Sequence, residues 1–132
     1  MLYIAYATYS IYAECNMSFV FFREADGTKP VVQFIRSLPV KLRAKVVADL
    51  HLLEEYGNKA REPLSKSLGD GIFEIRSQAG NDIVRVLYFV DEGKMIIVTI
   101  GFVKKQDKTP VNEIELAKAR RTIYYLQQSK RL

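Results

Sequence analysis

The sequence is short of the side chains most often used for proton transfer and metal binding. Of its 132 residues one is cysteine, Cys15, and one is histidine, His51. A single thiol cannot close an internal disulfide, and one Cys with one His falls short of a structural zinc set, so neither a metal nor a cofactor is expected. Such cysteine usage fits a reducing cytoplasm. His51 stands among Leu50, Leu52 and Leu53 in a helical pattern, which suits a helix-surface or satisfied core histidine. A His-based general acid/base pair is therefore not expected. Repeats and low-complexity stretches are missing, and so are long uninterrupted apolar runs. The opening MLYIAYATYSIYAECN is apolar and tyrosine-rich, yet it lacks a basic leader and a convincing cleavage site, and Glu14 interrupts it. No signal peptide or membrane span is expected there. Residues 1–16 read as an extension, either from an upstream start codon or as a strand or partner-binding arm, ahead of one domain over 17–132.

What is present is a core and a charge. Hydrophobic residues make up 48% of the chain, enough for one globular core. Twenty Lys and Arg against 15 Asp and Glu leave a formal charge of +5. A positive excess favours a polyanionic partner through phosphate neutralisation and counterion release, although charge by itself does not establish one.

Gly and Pro punctuate the chain into legible segments. Phe19 to Arg23 reads as a strand, and the turn Asp26-Gly27-Thr28-Lys29-Pro30 delivers a proline to the start of a short helix ending at Leu38. From Pro39 a second helix carries Val46, Val47, Leu50 and Leu53 on its apolar side, with Lys41, Arg43, Lys45 and Asp49 outward, and Gly57 to end it. A polar loop is expected next. Ile72 to Ser77, Ile83 to Val90 and Met95 to Val103 are rich in β-branched and aromatic residues and read as a three-stranded antiparallel meander. Gly80-Asn81 supplies one turn, and Asp91-Glu92-Gly93-Lys94 a hairpin loop with glycine in the left-handed position. Thr109-Pro110 can cap a last helix running to about Gln128. The expected class is α+β, a small mainly antiparallel sheet with amino-terminal helices on one side and a carboxy-terminal helix.

Strand alternation puts Glu74 and Arg76 on one face of their strand, and sets Arg85 within an otherwise apolar stripe of the next. A cation in such a stripe needs either a carboxylate such as Glu74 or a cleft. The third strand runs into Lys104-Lys105-Gln106-Asp107-Lys108. Residues 104–132 hold eight basic residues, Lys104, Lys105, Lys108, Lys118, Arg120, Arg121, Lys130 and Arg131, against Asp107, Glu113 and Glu115, an excess equal to the whole net charge. Those of the last helix read either as a solvated face or as RNA contacts. Lys104 and Lys105 are placed to meet Arg76 and Arg85 around one anionic group. Such a cluster can cleave RNA without histidine, because the ribose 2′-hydroxyl is a nucleophile already beside its phosphate and the remaining need is charge stabilisation. DNA lacks that hydroxyl. Tyr88 and Phe102 read as base-stacking rings or, equally in keeping with their strands, as core and rim packing.

The runs Gly71-Ile72-Phe73-Glu74-Ile75-Arg76, Val84-Arg85-Val86-Leu87-Tyr88-Phe89, Gly101-Phe102-Val103-Lys104-Lys105-Gln106-Asp107-Lys108-Thr109-Pro110 and Glu113-Ile114-Glu115-Leu116-Ala117, with Gly27-Thr28-Lys29-Pro30-Val31 and Phe34, resemble the phage-derived HigB-like branch of the RelE superfamily. The resemblance covers about Ser18 to Leu126. It implies the toxin of a type II toxin–antitoxin pair, a metal-independent endoribonuclease that cleaves mRNA, often on the ribosome, and an antitoxin partner that commonly carries a helix-turn-helix domain. By resemblance Arg76 and Arg85 bind the scissile phosphate, and Lys104 or Lys105 contacts phosphate and assists the leaving group. Tyr88, Phe102, Lys108, Arg120 and Arg121 are the further RNA contacts expected. Phe73 stands where many relatives carry Trp. The alternatives are an inactive RNA- or antitoxin-binding module of the same fold and, with less support, a small DNA-binding regulator, for which no helix-turn-helix pair is evident around 110–128.

Overall fold

The protein is described by a computed structural model over residues 18–57, 64–92 and 95–130; residues 1–16 and the Gly93 turn position lie outside them. Five strands form one sheet: β1 (Ser18–Phe21), β2 (Ser65–Gly69), β3 (Ile72–Ala79), β4 (Asp82–Asp91) and β5 (Met95–Val103), in the order β1-β5-β4-β3-β2. β1 runs parallel to β5, and the other pairings are antiparallel. The helices are α1 (Pro30–Ser37), α2 (Val40–Tyr56) and α3 (Val111–Ser129).

Local chemistry sets the boundaries. Pro30 opens α1, where its missing N–H costs nothing. Leu38 leaves the helix for an extended conformation because Pro39 follows it. Gly57 ends α2 with φ 53, and its N–H donates to the Leu53 carbonyl. Leu42, Val46, Leu50 and Leu53 form the buried stripe of α2. They pack with Val31 and Ile35 of α1 against Ile75, Val84, Val86, Tyr88, Ile96 and Val98. The opposite face of the sheet packs Ile72, Leu87, Phe89, Ile97 and Ile100 under Ala117 of α3. β4 lies in the middle of the sheet with both faces covered, which is why Val84 to Phe89 are all buried.

Four expectations change. The polar loop before the meander contains β2, an edge strand whose Ser-Lys-Ser-Leu-Gly composition hides it, so the sheet has five strands. Asp49 is buried, where it accepts hydrogen bonds from Ser77 Oγ at 2.7 Å and Lys45 Nζ at 2.9 Å, while Val47, expected on the apolar side, is exposed. Thr109 does not cap α3: Pro110 is the cap residue, and the Thr109 hydroxyl is engaged elsewhere. Thr99 interrupts the β4–β5 register, with Leu87 opposite Ile100 and Tyr88 opposite Val98. The bulge turns the Thr99 carbonyl toward Arg120 Nη1, which donates to it at 2.8 Å.

Candidate functional site

The register of the sheet lays three side chains in one row on the α3 side. Arg76 of β3 is opposite Arg85 of β4, and Arg85 is opposite Phe102 of β5. Like charges directly across a strand pair repel, so a row of this kind is stable only if one cation is taken up elsewhere. Arg85 is. Its Nε lies 3.1 Å from Glu74 Oε1, a charge contact whose N–H is not aimed for a hydrogen bond. Nη1 donates to Thr109 Oγ1 at 3.1 Å, Nη2 donates to the Asp107 carbonyl, and Thr109 Oγ1 donates to Glu74 Oε1 at 3.0 Å. This knot is buried, with the Arg85 side chain 4% exposed. It is the pairing with Glu74 that the apolar stripe left open. The guanidinium ties the 104–110 loop to the sheet, and it is not free to receive a phosphate as expected.

Arg76, on the same face, is free of that knot. It is exposed and, among the described residues, forms no ion pair or side-chain hydrogen bond. It opens into a cleft of about 580 Å³ whose floor is Glu74 and Arg85 and whose rim includes Lys66, Lys108 and Thr109. Lys66 and Lys108 are also exposed and without an ion pair among the described residues. Three unneutralised cations around one recess make a site for an anion with several oxygens. Lys66 is not among the residues expected at a site, because the polar composition of β2 predicts a loop. The signal was Asp70-Gly71 immediately before the Ile72 strand: a hairpin turn there requires a partner strand just upstream. Gly69, Asp70 and Gly71 all take positive φ, at 92, 54 and 77.

The basic pair at the end of β5 stands on the other side of the knot. The Lys104 N–H donates to the Ile83 carbonyl at 2.8 Å, continuing the β4–β5 ladder. The side chain of Lys104 is 15% exposed and held 3.2 Å from Asp107 Oδ1, whereas Lys105 is exposed without an ion pair among the described residues. Both line a second groove of about 500 Å³ with Phe34, Phe102, Gln106 and Glu113. Arg76 and the two lysines thus occupy neighbouring recesses divided by the Arg85 strut and its loop, and do not converge on a single point.

The other expected contacts separate just as clearly. Phe102 is half-buried at the second groove, and Lys108 is at the first. Tyr88 is on the opposite face of the sheet, 4% exposed, stacked on Phe73 at 5.4 Å and hydrogen-bonded through its hydroxyl to Ser65 Oγ at 2.5 Å. Burial pushes its phenol above the ordinary value. A ring so enclosed offers no face to a base, so the stacking expectation gives way to core packing. Arg120 is spent on the Thr99 carbonyl, on Glu24 at 3.7 Å and on the Phe22 ring at 5.6 Å. Arg121 clamps the β2–β3 turn through the Asp70 carbonyl at 2.5 Å and Asp70 Oδ2 at 3.3 Å. These two arginines are neither a solvated face nor free contacts: they fasten α3 to the sheet. His51 is exposed on α2, with Nδ1 3.0 Å from Glu54 Oε1. Among the described residues no three His, Cys, Asp or Glu side chains gather to hold a metal, and no helix is long and apolar enough to cross a membrane.

Residues 33–122 match the family described as phage-derived protein Gp49-like (DUF891), a stretch longer than half the chain. The chain belongs to the Gp49-like family. This is a family of RelE-like, toxin-like proteins, and its matched stretch spans β2 to β5 and the loop that carries Lys104, Lys105 and Lys108. Both recesses of the Gp49-like chain therefore lie inside the matched region. No curated protein matches the chain.

Proposed function

We propose that this Gp49-like chain is the toxin of a type II toxin–antitoxin pair of the HigB-like branch, a cytoplasmic endoribonuclease that cuts mRNA. The observation that carries the reading is the ring of Lys66, Arg76 and Lys108 around a cleft, none of which makes an ion pair among the described residues, while the two carboxylates that also line it, Glu74 and Asp107, are paired with Arg85 and Lys104. Arg76 is the residue placed on the scissile phosphate. The 2′-hydroxyl attacks the adjacent phosphorus and gives its proton to water, the P–O5′ bond breaks, and the departing 5′-oxygen takes a proton from water, leaving a 2′,3′-cyclic phosphate and a 5′-hydroxyl. Negative charge gathers on the non-bridging oxygens as the bond order shifts, and preorganised cations lower that barrier. Lys66 and Lys108 hold the flanking phosphates. Across the loop, Lys105 and the more restrained Lys104 take the strand onward, with Phe102 available to a base. Arg85 serves by holding the loop.

The partners that accompany this reading are mRNA, a translating ribosome and an antitoxin with a helix-turn-helix domain. Residues 17–132 are the working unit, so a chain begun at Met17 keeps its toxicity. One observation favours a binding module instead: of the two arginines that line the cleft among the described residues, Arg85 is buried in its own pairing and only Arg76 is exposed. Induced expression decides between the two. Wild type that arrests growth and fragments transcripts, beside a folded Arg76→Ala chain that does neither, supports the nuclease. Equal arrest by both moves the chemistry away from Arg76, and harmless wild type leaves binding alone.

A further inference from the structure

The groove on the β5 side of the loop has a composition that phosphate binding does not explain. Phe34 and Phe102 give it aromatic walls, Lys104 and Lys105 a basic rim, and Glu113 of the first turn of α3 faces in among them. Glu113 is half-buried and, among the described residues, makes no side-chain hydrogen bond or ion pair. A free carboxylate on the path of a polyanion repels phosphate, and so needs a hydrogen-bond donor in the ligand. Phe34 is held in place. A Cβ on Gly101 would meet its ring at 2.7 and 2.8 Å, so this ring rests on bare backbone that only glycine provides. A rigid aromatic wall, a second half-buried ring and an unpartnered acceptor suit a flat ligand with donors on its edge.

We propose that this groove is a nucleobase subsite, that Phe34 and Phe102 receive the ring of a nucleotide flanking the cut, and that Glu113 selects guanine. The chemistry of the base edges makes the choice. Guanine alone presents two adjacent donors, N1–H and the 2-amino group, to match the two oxygens of a carboxylate. Adenine and cytosine set one amino donor beside a ring acceptor that a carboxylate repels, and uracil sets one N–H between two carbonyls. The inference rests on the RNA-binding reading above and adds a base preference to it.

Fluorescence anisotropy tests it, with oligouridine blocked against cleavage by 2′-O-methyl groups and carrying one variable base. Wild type is expected to bind the guanine-containing strand more tightly than the other three by roughly 5- to 150-fold, the range of one bidentate base contact. Glu113→Gln presents one acceptor and one donor, so the preference should move from guanine to adenine and cytosine, a change that a role in helix stability would not produce. Phe102→Ala should weaken all four strands by a similar factor of roughly 5 to 150, as a lost stacking platform does. Wild type that binds all four strands alike, or a guanine preference untouched by Glu113→Gln, overturns the subsite while leaving the nuclease reading standing. Failure to bind any strand overturns the subsite, while growth arrest and transcript cleavage on induced expression test the nuclease reading separately.

Discussion

Arg76 and Arg85 face each other across one rung of the sheet, yet they belong to different kinds of site. Arg85 is enclosed with Glu74, Thr109 and the Asp107 carbonyl, whereas Arg76 looks into an open cleft beside Lys66 and Lys108. One arginine is a strut and the other a free charge. Residue type and strand position are the same for both. The difference comes from the 104–110 loop, which folds back over β4 and brings its acceptors to Arg85 alone. A cation's role in a sheet is thus decided by what covers it, a tertiary property, more than by its place in the strand.

Breaking the strut should have the largest effect. Arg85→Ala leaves Glu74 buried without its cation, and Glu74→Ala leaves Arg85 without its carboxylate. Either is expected to lower stability by about 3–5 kcal/mol, read as a fall in denaturation midpoint. The double change to Glu74→Leu with Arg85→Met should recover most of that loss, because the knot is replaced by apolar volume. Two single variants that melt like wild type would make the knot incidental. Arg76→Ala sharpens the contrast from the other side. Its stability should stay within about 0.5 kcal/mol of wild type, while RNA cleavage falls by roughly 10²- to 10³-fold, as for one preorganised donor to a developing oxyanion. A folded Arg76→Ala chain with undiminished cleavage would make the open cleft the wrong place for the chemistry. Lys66→Ala and Lys108→Ala should each reduce the salt dependence of RNA binding by about one phosphate contact.

Much of this contrast was legible in the residues. β-Branched and aromatic runs locate β3, β4 and β5, and the α2 stripe recurs at helical spacing, because those patterns reflect burial against one neighbour. The basic loop is equally plain. What escaped depends on pairing between distant segments. β2 is polar because it is an edge strand, and it exists through its register with β3, Lys66 opposite Glu74. Asp49 reads as a surface residue on its helix, but Ser77 meets it from β3. Arg120 and Arg121 read as spare charge because their acceptors, Thr99 and Asp70, are backbone groups exposed by a bulge and a turn. Alternation alone places Tyr88 opposite Arg85, but not how closely the helices seal it.

Tyr88 offers a smaller, cleaner test of enclosure against exposure. Tyr88→Phe keeps the stacked ring on Phe73 and removes only the hydroxyl that meets Ser65. Stability should fall by about 1 kcal/mol, with RNA binding and cleavage unchanged. A wild-type tyrosine buried as this one is also resists ionisation: its raised pKa favours the neutral form in the folded chain, so its contribution is intact below the unfolded value of 10.0 and is lost as pH rises beyond it. Loss of RNA binding in the Phe variant would return Tyr88 to the site.

The least effect is expected where an ion pair is exposed. Asp70, at φ 54 in the β2–β3 turn, is held below its ordinary carboxyl value of 3.8 first by hydrogen bonding to Lys118 and the charge of that lysine, then by Arg121. A depressed folded pKa means that the stabilisation is complete above the unfolded value and is lost as pH falls through and below it. Solvent screens the pair, so its worth is small even at neutral pH. Asp70→Asn tolerates the same left-handed backbone and removes only the charge. Melting curves of the two proteins should therefore differ slightly at pH 7 and coincide at the lowest pH at which both stay folded. A gap that persists into acid would place the clamp in the Asp70 carbonyl geometry and not in the charge. Equal curves throughout would mean that water removes nearly all of the pair's worth, the opposite limit to the buried pair of Glu74 and Arg85.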